Sequence, residues 1–344
     1  MNKSIDYFKN IVNDIFLTDS PSGYSININK VLANKLDELG YNNYRVTPKG
    51  SFEIFIEGED NTITRGIAAH DDTLGLMVRS IASNGNLKVT NIGGPIIPTL
   101  DGEYCRVRTR DGRVYTGTIL STSPACHVYS DSGTKPRNVD TIEVRLDEIV
   151  HNQKDVEALG IQNGDYVCYE PKTVITPSGF LKSRFIDDKA SVCIILSVLE
   201  YLKRNNLKPR YNTYVYFTNH EEVGHGAASI NKDLDEFLAV DMGCVGLDLA
   251  GNEYSASICA KDSSGPYDYE LTTRLINFAK EAELKYVVDI FPYYGSDASA
   301  ALRAGVDCKA GLIGTGVCAS HGMERTHMDG IEATMKLLSM YLTK

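Results

Sequence analysis

Two kinds of hydrophobic periodicity divide this chain of 344 residues into regions. Near the amino end, a helix that stops at Gly40 is predicted by apolar residues at helical spacing, namely Ile28, Val31, Leu32, Leu36 and Leu39. The short apolar run at 66–69 predicts a buried strand that leads into His70. The first region therefore combines helix and buried strand.

Residues 75–177 have a different pattern, in which short β-rich runs alternate with turns that contain Gly, Asp, Asn and Pro. The clearest runs are 87–90, 104–108, 113–119 and 141–145. This spacing favours a small antiparallel barrel or sandwich over βαβ units. We therefore predict an inserted, barrel-like domain over 75–177.

After Pro177, predicted helices and strands alternate again. Strands are predicted at 212–218, 238–241, 286–291 and 308–313, and helices at 190–202, 269–282, 297–304 and 330–342. Such alternation indicates an α/β sheet that is covered on both faces. Residues 1–74 and 178–344 are thus predicted to form one discontinuous α/β catalytic domain.

Composition and charge remove several classes of function. The chain is 42% apolar and 23% charged, with a net charge of −10 and no cluster of Lys and Arg, which argues against a nucleic-acid partner. No stretch approaches the roughly 20 apolar residues that span a bilayer, and the first nineteen residues lack the features of a signal peptide. The eight cysteines form no Cys-x-x-Cys pair, as expected for free thiols in the cytoplasm.

Candidate chemistry lies at five places where predicted strands or apolar runs end. The first is His70-Asp71-Asp72, where alternate side chains share a face, so that Asp72 can orient His70. The second is the pair Asp187-Asp188 before a helix. Such a pair is either a helix cap with an acidic first turn or a set of anions that cations compensate.

The remaining places add further acids and a second imidazole. Glu221 and Glu222 are adjacent after a strand, so their side chains diverge, and one can bind metal while the other reaches a metal-bound water. Asp241 and His321 each follow an apolar run, where a cap or a surface histidine is the alternative. Because ligands bind at the strand ends of α/β sheets, the five places together indicate a metal-assisted hydrolase. Nitrogen and oxygen donors without thiolates suit Zn²⁺, Co²⁺ or Mn²⁺.

At these positions the sequence resembles metallopeptidase family forty-two, the tetrahedral (TET) aminopeptidases that include glutamyl and deblocking aminopeptidases. The likeness extends over nearly the whole chain and rests on 20–24, 89–94, 187–188, 221–224, 240–241, 295–298 and His321. It implies an α/β/α metal-hydrolase sandwich with a mixed sheet and an aminopeptidase activity on short peptides. It also implies dimers, formed through the inserted domain, that assemble into a tetrahedral dodecamer.

The resemblance further implies two divalent cations in each subunit, most readily Zn²⁺ or Co²⁺, with Mn²⁺ as a third option. Asp187 would bridge both cations, His70 and Asp241 would complete one site, and Glu222 and His321 would complete the other. In the same pattern Glu221 would be the general base and Asp72 would orient and polarise His70.

The chain also departs from the family pattern. Gly322 and Met323 follow His321 where Ser-Pro is usual, which leaves His327 as a rival ligand, and His225 replaces a residue that is usually apolar. Three alternatives to an aminopeptidase stay open at this stage: another metal-dependent amidohydrolase or deacylase, a glucanase, and a non-catalytic scaffold. Glycosidases usually use two carboxylates without a metal, so sensitivity to chelators separates them.

Overall fold

The computed structural model describes residues 2–344, which divide into two compact units. The first unit contains the residues up to Thr73 together with Lys172–Lys344, and the second is Leu74–Pro171. The predicted insertion extends to residue 177, beyond the end of the second unit. The difference arises because Val174–Ile175 pair in antiparallel fashion with residues 181–182 of the first unit.

Before Leu74 the elements are α1 (Asn2–Phe16), α2 (Ile26–Glu38), β1 (Tyr44–Val46), β2 (Phe52–Ile56) and β3 (Asp60–His70). The second unit contains β4 (Gly75–Ile81), β5 (Leu87–Ile92), β6 (Tyr104–Arg108), β7 (Val114–Ser121), β8 (Ile142–Leu146), α3 (Gln153–Ala158) and β9 (Tyr166–Tyr169). From Lys172 onward the elements are β10 (Val174–Ile175), β11 (Phe180–Ser183), α4 (Ile186–Arg204), β12 (Tyr211–Thr218), β13 (Glu236–Cys244), β14 (Ala256–Asp262), β15 (Gly265–Pro266), α5 (Tyr269–Glu281), β16 (Tyr286–Ile290), α6 (Asp297–Arg303), β17 (Lys309–Val317), β18 (Glu324–His327) and α7 (Met328–Thr343).

A mixed sheet organises the first unit. Its strand order is β1-β2-β12-β3-β13-β17-β14-β15, with β16 paired to β14. The central strands β12, β3, β13 and β17 are mutually parallel, whereas β2 and β14 join them in antiparallel fashion. The carboxyl ends of the four parallel strands therefore meet at one edge of the sheet.

Both faces of this sheet are buried, which explains why its central strands have nearly continuous apolar sequences. In β12, Val215 and Phe217 pack into a core with α1, α4 and α7, while Tyr216 points into a second core that includes residues of α6. In α4 the residues from Ile186 to Leu199 are all buried. The predicted α/β fold with a mixed sheet covered on both faces is confirmed.

The second unit contains a closed barrel of six strands within its described residues, in the order β4-β5-β8-β7-β6-β9. Pairing of Leu76 with Val167 and of Met77 with Tyr166 joins the first strand to the last. The barrel strands contribute side chains without exposed surface, including Leu76, Val89, Val107, Ile119, Val144 and Val167. The β-rich, barrel-like architecture that the sequence predicts is therefore present.

The amino-terminal helix α1 is an element that the periodicity analysis did not predict. Its buried residues Phe8, Ile11, Val12 and Ile15 form an apolar stripe that packs in the same core as α4. Within residues 2–344, every helix is too short or too polar to cross a membrane.

Candidate metal centre

The predicted site residues converge at the carboxyl-terminal edge of the parallel strands. His70 is the last residue of β3, Glu221 lies three residues after β12, and Asp187 lies in the first turn of α4. Two positions differ from the sequence-based picture of strand ends. Asp241 lies within β13, and His321 lies in a loop four residues beyond β17.

The Asp187 carboxylate lies between two imidazoles. Its Oδ1 is 3.1 Å from His70 Nε2, and its Oδ2 is 3.6 Å from His321 Nε2. His321 Nε2 is also 3.6 Å from Glu222 Oε2. Each oxygen of one carboxylate thus faces a separate imidazole, as a carboxylate that bridges two cations would require.

Two groups of side chains present donor atoms close enough to hold a cation. In the first, one atom each from His70, Asp187 and Glu222 lie within 4.8 Å of one another, and in the second His70, Asp188 and Asp241 do so. The second group contains Asp188, to which the sequence analysis gave no ligand role. The adjacent acid in the Asp187-Asp188 pair was the available signal, and the peptide bond between these residues is cis.

Asp72 contacts His70 differently from the prediction. His70 Nδ1 hydrogen-bonds to the main-chain oxygen of Asp72 at 2.9 Å, whereas the nearer carboxylate oxygen is 3.6 Å away. That carboxylate accepts hydrogen bonds from the main-chain nitrogens of Glu221, at 3.1 Å, and Glu222, at 3.4 Å. It also accepts one from the Ser22 hydroxyl. The main chain of Asp72 therefore orients the imidazole, and its side chain fixes the two glutamates.

Glu324 is a buried residue that sequence reasoning missed. One of its oxygens accepts the main-chain N–H of Asp187 at 3.1 Å, and the other accepts that of His321 at 2.9 Å. His321 has a φ of +64°, a left-handed conformation that costs a non-glycine residue about 1–3 kcal/mol. The bond to Glu324 stabilises this conformation. The only signal in the sequence was an acid three residues after His321, at the start of β18.

The rival histidine is engaged elsewhere. His327 Nε2 hydrogen-bonds to the main-chain oxygen of Ser178 at 2.9 Å, and its Nδ1 accepts the main-chain N–H of Asp329 at 3.1 Å. His327 is thereby the N-cap of α7. Both ring nitrogens have partners, whereas His321 points at Asp187 and Glu222.

The segment after Glu222 is held by a further buried acid. Asp297, at the start of α6, accepts a hydrogen bond from the Thr218 hydroxyl and one from the main chain of Ala227 at 2.6 Å. Gly226 lies so close that a Cβ there would be 2.4 Å from the Asp297 carboxylate. The acid in the 295–298 motif thus anchors the loop that follows the two glutamates.

Burial and the closeness of several carboxylates change the pKa values of the acids at this site. Burial, the Asp241 charge and the Asp187 charge raise the pKa of Glu221 well above its ordinary value, and burial and Asp187 do the same for Glu222. Burial and Asp187 raise the pKa of Asp241 to about 7. Burial also disfavours the charged form of Asp187, but the hydrogen bond from His70 lowers its pKa below the usual range.

The unpaired atoms and the donor types fit divalent cations. Glu222 Oε1 and Asp188 Oδ1 are buried and have no hydrogen-bond partner in the described part of the chain. Buried carboxylate oxygens are costly unless donors or cations compensate them. Imidazole nitrogens and carboxylate oxygens without thiolates are the donors that Zn²⁺, Co²⁺ and Mn²⁺ accept. The cluster is therefore a candidate metal centre.

Comparison with known proteins gives concordant results. A family model described as M42 glutamyl aminopeptidase matches residues 50–337. The chain is 43% identical to YhfE of Bacillus subtilis (strain 168), a provisionally named aminopeptidase, over 96% of both chains. A TET aminopeptidase structure from the archaeon Thaumarchaeota archaeon SCGC AB-539-E09 superposes with a TM-score of 0.87, 20% identity and coverage of 98% and 96% of the two chains. The structure of the TET1 peptidase of Pyrococcus horikoshii is described as assembling into a tetrahedron or a large octahedral shell. It superposes with a TM-score of 0.85 and 20% identity, and the match covers 98% of this chain and 99% of that one.

Proposed function

The chain belongs to the M42 glutamyl aminopeptidase family and is an aminopeptidase, and we propose that it removes amino-terminal residues from short peptides with two divalent cations and Glu221 as general base. Zn²⁺ and Co²⁺ are the cations that we favour, with Mn²⁺ as a third candidate.

The observation that supports the proposal is the position of Asp187 between His70 and His321, at 3.1 and 3.6 Å. Asp187 would bridge the two cations, His70 and Asp241 would complete one site, and Glu222 and His321 the other. Each cation would then have three protein ligands and an open position, which distinguishes catalytic from structural sites. Asp188 lies in the candidate group with His70 and Asp241, and its carboxylate is the alternative oxygen donor for the first site.

The bound cations would supply a water of lowered pKa and a positive charge that polarises the scissile carbonyl. The side chain of Glu221 is 15% exposed, and one of its oxygens lies 3.7 Å from His70 Nε2. It therefore reaches the reacting region without belonging to either candidate ligand group. In our proposal Glu221 accepts the proton of the attacking water and returns it to the leaving amine.

The hydrogen bonds around Asp72 support this division of roles. The main-chain bond of 2.9 Å to His70 Nδ1 leaves Nε2 as the atom available for metal. The Asp72 carboxylate accepts the main-chain N–H groups of both glutamates. The side chain of Glu221 approaches His70 Nε2 at 3.7 Å, whereas that of Glu222 approaches His321 Nε2 at 3.6 Å. Asp72 is therefore proposed as a positioning residue for both the imidazole and the base.

We also propose that the protein is a homo-oligomer, with the second unit making dimer contacts. The TET1 peptidase of Pyrococcus horikoshii is described as assembling into a tetrahedron, and a dodecamer built from dimers is the corresponding assembly for this chain. Sedimentation velocity of the purified protein tests this, and a monomer at micromolar concentration would contradict it.

The experiment for the activity is a panel of aminoacyl-p-nitroanilides assayed after chelation and after readdition of Zn²⁺, Co²⁺ or Mn²⁺ separately. We expect hydrolysis to disappear on chelation and to return with a cation. An N-acylated amino acid and a β-glucan are assayed in parallel. Cleavage of the acyl amide alone would indicate a deacylase, and metal-independent cleavage of the glucan would indicate a glycosidase. If the metal-loaded protein cleaves none of these substrates, the proposed aminopeptidase activity is contradicted.

A further inference from the structure

A lysine from a distant turn holds the chain that follows β12. Residues 219–227, here called the glutamate segment, contain both the proposed base and the glutamate ligand. The Lys49 ammonium donates hydrogen bonds to the main-chain oxygens of His225 and Gly226, the second at 3.0 Å. Gly226 is buried, so its oxygen has little access to water. Lys49 therefore supplies a donor to two neighbouring carbonyl groups across 176 residues of chain.

The same turn also contacts the start of the glutamate segment. The Ser51 hydroxyl accepts the main-chain N–H of Asn219 at 3.0 Å, and both residues are buried. The turn is closed by hydrogen bonds from the Thr47 nitrogen to the Ser51 oxygen at 2.8 Å and from the Gly50 nitrogen to the Thr47 oxygen at 2.9 Å. It packs against the start of α2 so closely that a Cβ at Gly50 would lie 2.2 Å from Ser25 Oγ. Residues 47–51 are therefore a fixed support that contacts both ends of the glutamate segment.

The glutamate segment is tightly folded between these contacts. The Gly224 nitrogen donates to the main-chain oxygen of Glu221 at 2.6 Å, and the His225 nitrogen donates to that of His220 at 3.1 Å. The imidazoles of His220 and His225 stack with their centroids 5.0 Å apart. His220 has a φ of +77°, a left-handed conformation that is uncommon for a residue other than glycine. A displacement of the oxygens that the lysine holds would therefore also move the two glutamates.

The contacts on this segment divide by polarity. Carboxylates accept its N–H groups, since Asp72 holds those of the two glutamates and Asp297 holds that of Ala227. Lys49 is the cation that holds its carbonyl groups. An ammonium has three donors and accepts none, and its charge-assisted hydrogen bonds are roughly twice as strong as neutral ones. A lysine thus suits this position because it donates to two carbonyl oxygens at once.

We propose that Lys49 is a positioning residue, which together with Ser51 holds the glutamate segment in the geometry that the reaction requires. Glu221 is thereby aimed at the attacking water and Glu222 at its cation. The inference rests on the aminopeptidase function proposed above. The competing role is structural, in which the turn would stabilise the fold without affecting the reaction.

The test compares Lys49→Met and Ser51→Ala with Lys203→Met. Methionine is nearly as long as lysine but has no donor, and Ser51→Ala removes the acceptor for Asn219 without a change of charge. Lys203, in the last turn of α4, also donates to a main-chain oxygen, that of Gly40 at 3.1 Å, so it controls for the loss of such a bond elsewhere. The measurements are kcat and KM for an aminoacyl-p-nitroanilide at saturating Zn²⁺, Zn²⁺ affinity by competition titration, visible absorption of the Co²⁺-loaded protein, and urea unfolding of the chelated protein.

For Lys49→Met we expect kcat to fall about tenfold with KM unchanged. This is the lower end of the effect of residues that orient metal ligands, because the lysine acts through the main chain. Zn²⁺ affinity should weaken by a similar factor, and the Co²⁺ absorption bands should shift. A lysine that acted only through its charge would change the affinity in the opposite direction, because removing a nearby positive charge favours a bound cation. Ser51→Ala should change the same quantities in the same direction as Lys49→Met, and Lys203→Met should match the wild-type enzyme.

Wild-type kcat and Zn²⁺ affinity in Lys49→Met would overturn the proposal, even if the variant unfolded at a lower urea concentration. Tighter binding of Zn²⁺ would also overturn it. If Lys49→Met does not fold, Ser51→Ala decides the question by the same measurements. If the wild-type enzyme cleaves no aminoacyl amide, the proposed function fails, whereas the Zn²⁺ affinity and the Co²⁺ spectrum still test whether Lys49 positions the glutamates.

Discussion

Replacing Glu221 with Gln separates the chemistry of the site from its ability to bind metal. Gln has nearly the shape of Glu, and the main-chain hydrogen bond from Glu221 to Asp72, at 3.1 Å, does not involve the side chain that changes. The amide cannot accept the proton of water. A general base contributes about 10²–10⁴ to the rate, so the activation free energy should rise by about 3–5 kcal/mol at 1.36 kcal/mol for each tenfold.

The same substitution should leave the metal-free protein at least as stable as the wild type. The folded protein holds the pKa of Glu221 above its ordinary value, through burial first and then the charges of Asp241 and Asp297. A group with a raised folded-state pKa favours the folded state at low pH and loses that contribution as pH rises through the folded pKa. The neutral amide is free of this penalty, so the stability gain should appear near neutral pH and vanish in acid.

The assay is steady-state hydrolysis of an aminoacyl-p-nitroanilide, together with elemental analysis and urea unfolding of the chelated protein. In the wild-type enzyme kcat/KM should fall as acidification protonates Glu221, and this acidic limb should be absent from the residual activity of the variant. Glu222→Gln is the matched control, because it should lose metal while the Glu221 variant retains it. A Glu221→Gln enzyme with near-normal kcat would refute the assignment of the base.

Four further substitutions test the ligand assignments. Asp187→Ala should strip metal from both sites, as elemental analysis after dialysis will show, and retention of two cations would exclude a bridging role. His321→Ala should lower metal content. His327→Ala should keep the metal and lower the free energy of unfolding by about 1 kcal/mol, because it removes the N-cap of α7. Loss of metal from the His327 variant but not from the His321 variant would make His327 the ligand. Glu324→Gln keeps only one oxygen acceptor for the main-chain N–H groups of Asp187 and His321. It should weaken Zn²⁺ affinity about 10–100-fold, as substitutions of residues that orient metal ligands do. Unchanged affinity in a competition titration would show that Glu324 does not position Asp187 and His321.

Hydrophobic periodicity predicted the elements that hold the site, because those elements are buried on one or both faces. The strand predicted at 212–218 is observed as β12, and the helix predicted at 330–342 is observed within α7. The amphipathic helix α1 carries the same kind of signal in Phe8, Ile11, Val12 and Ile15, although no helix was predicted there. The charged residues Lys3, Asp6, Lys9 and Asp14 interrupt the apolar positions along the sequence, yet the apolar side chains share one face in the folded helix.

Other features of the site depend on contacts that one sequence does not reveal. Glu324 contacts Asp187 across 137 residues of chain, and local spacing at Glu324 gives no indication of that distance. Sequence patterns identify donors at strand ends, whereas Glu324 acts from the start of β18, a short strand that follows His321.

Asp72 shows why residue types at a given spacing do not determine roles. The spacing of His70 and Asp72 predicts a contact between imidazole and carboxylate, but His70 Nδ1 hydrogen-bonds to the main-chain oxygen of Asp72, which every amino acid possesses. What is specific to aspartate is its carboxylate, which accepts the N–H groups of Glu221 and Glu222 and the hydroxyl of Ser22. The side chain at this position is therefore required by the glutamates, and the first histidine and the proposed base are held by a single residue. Through this one residue, the end of β3 and the segment after β12 keep a fixed geometry around the space where substrate and water would meet.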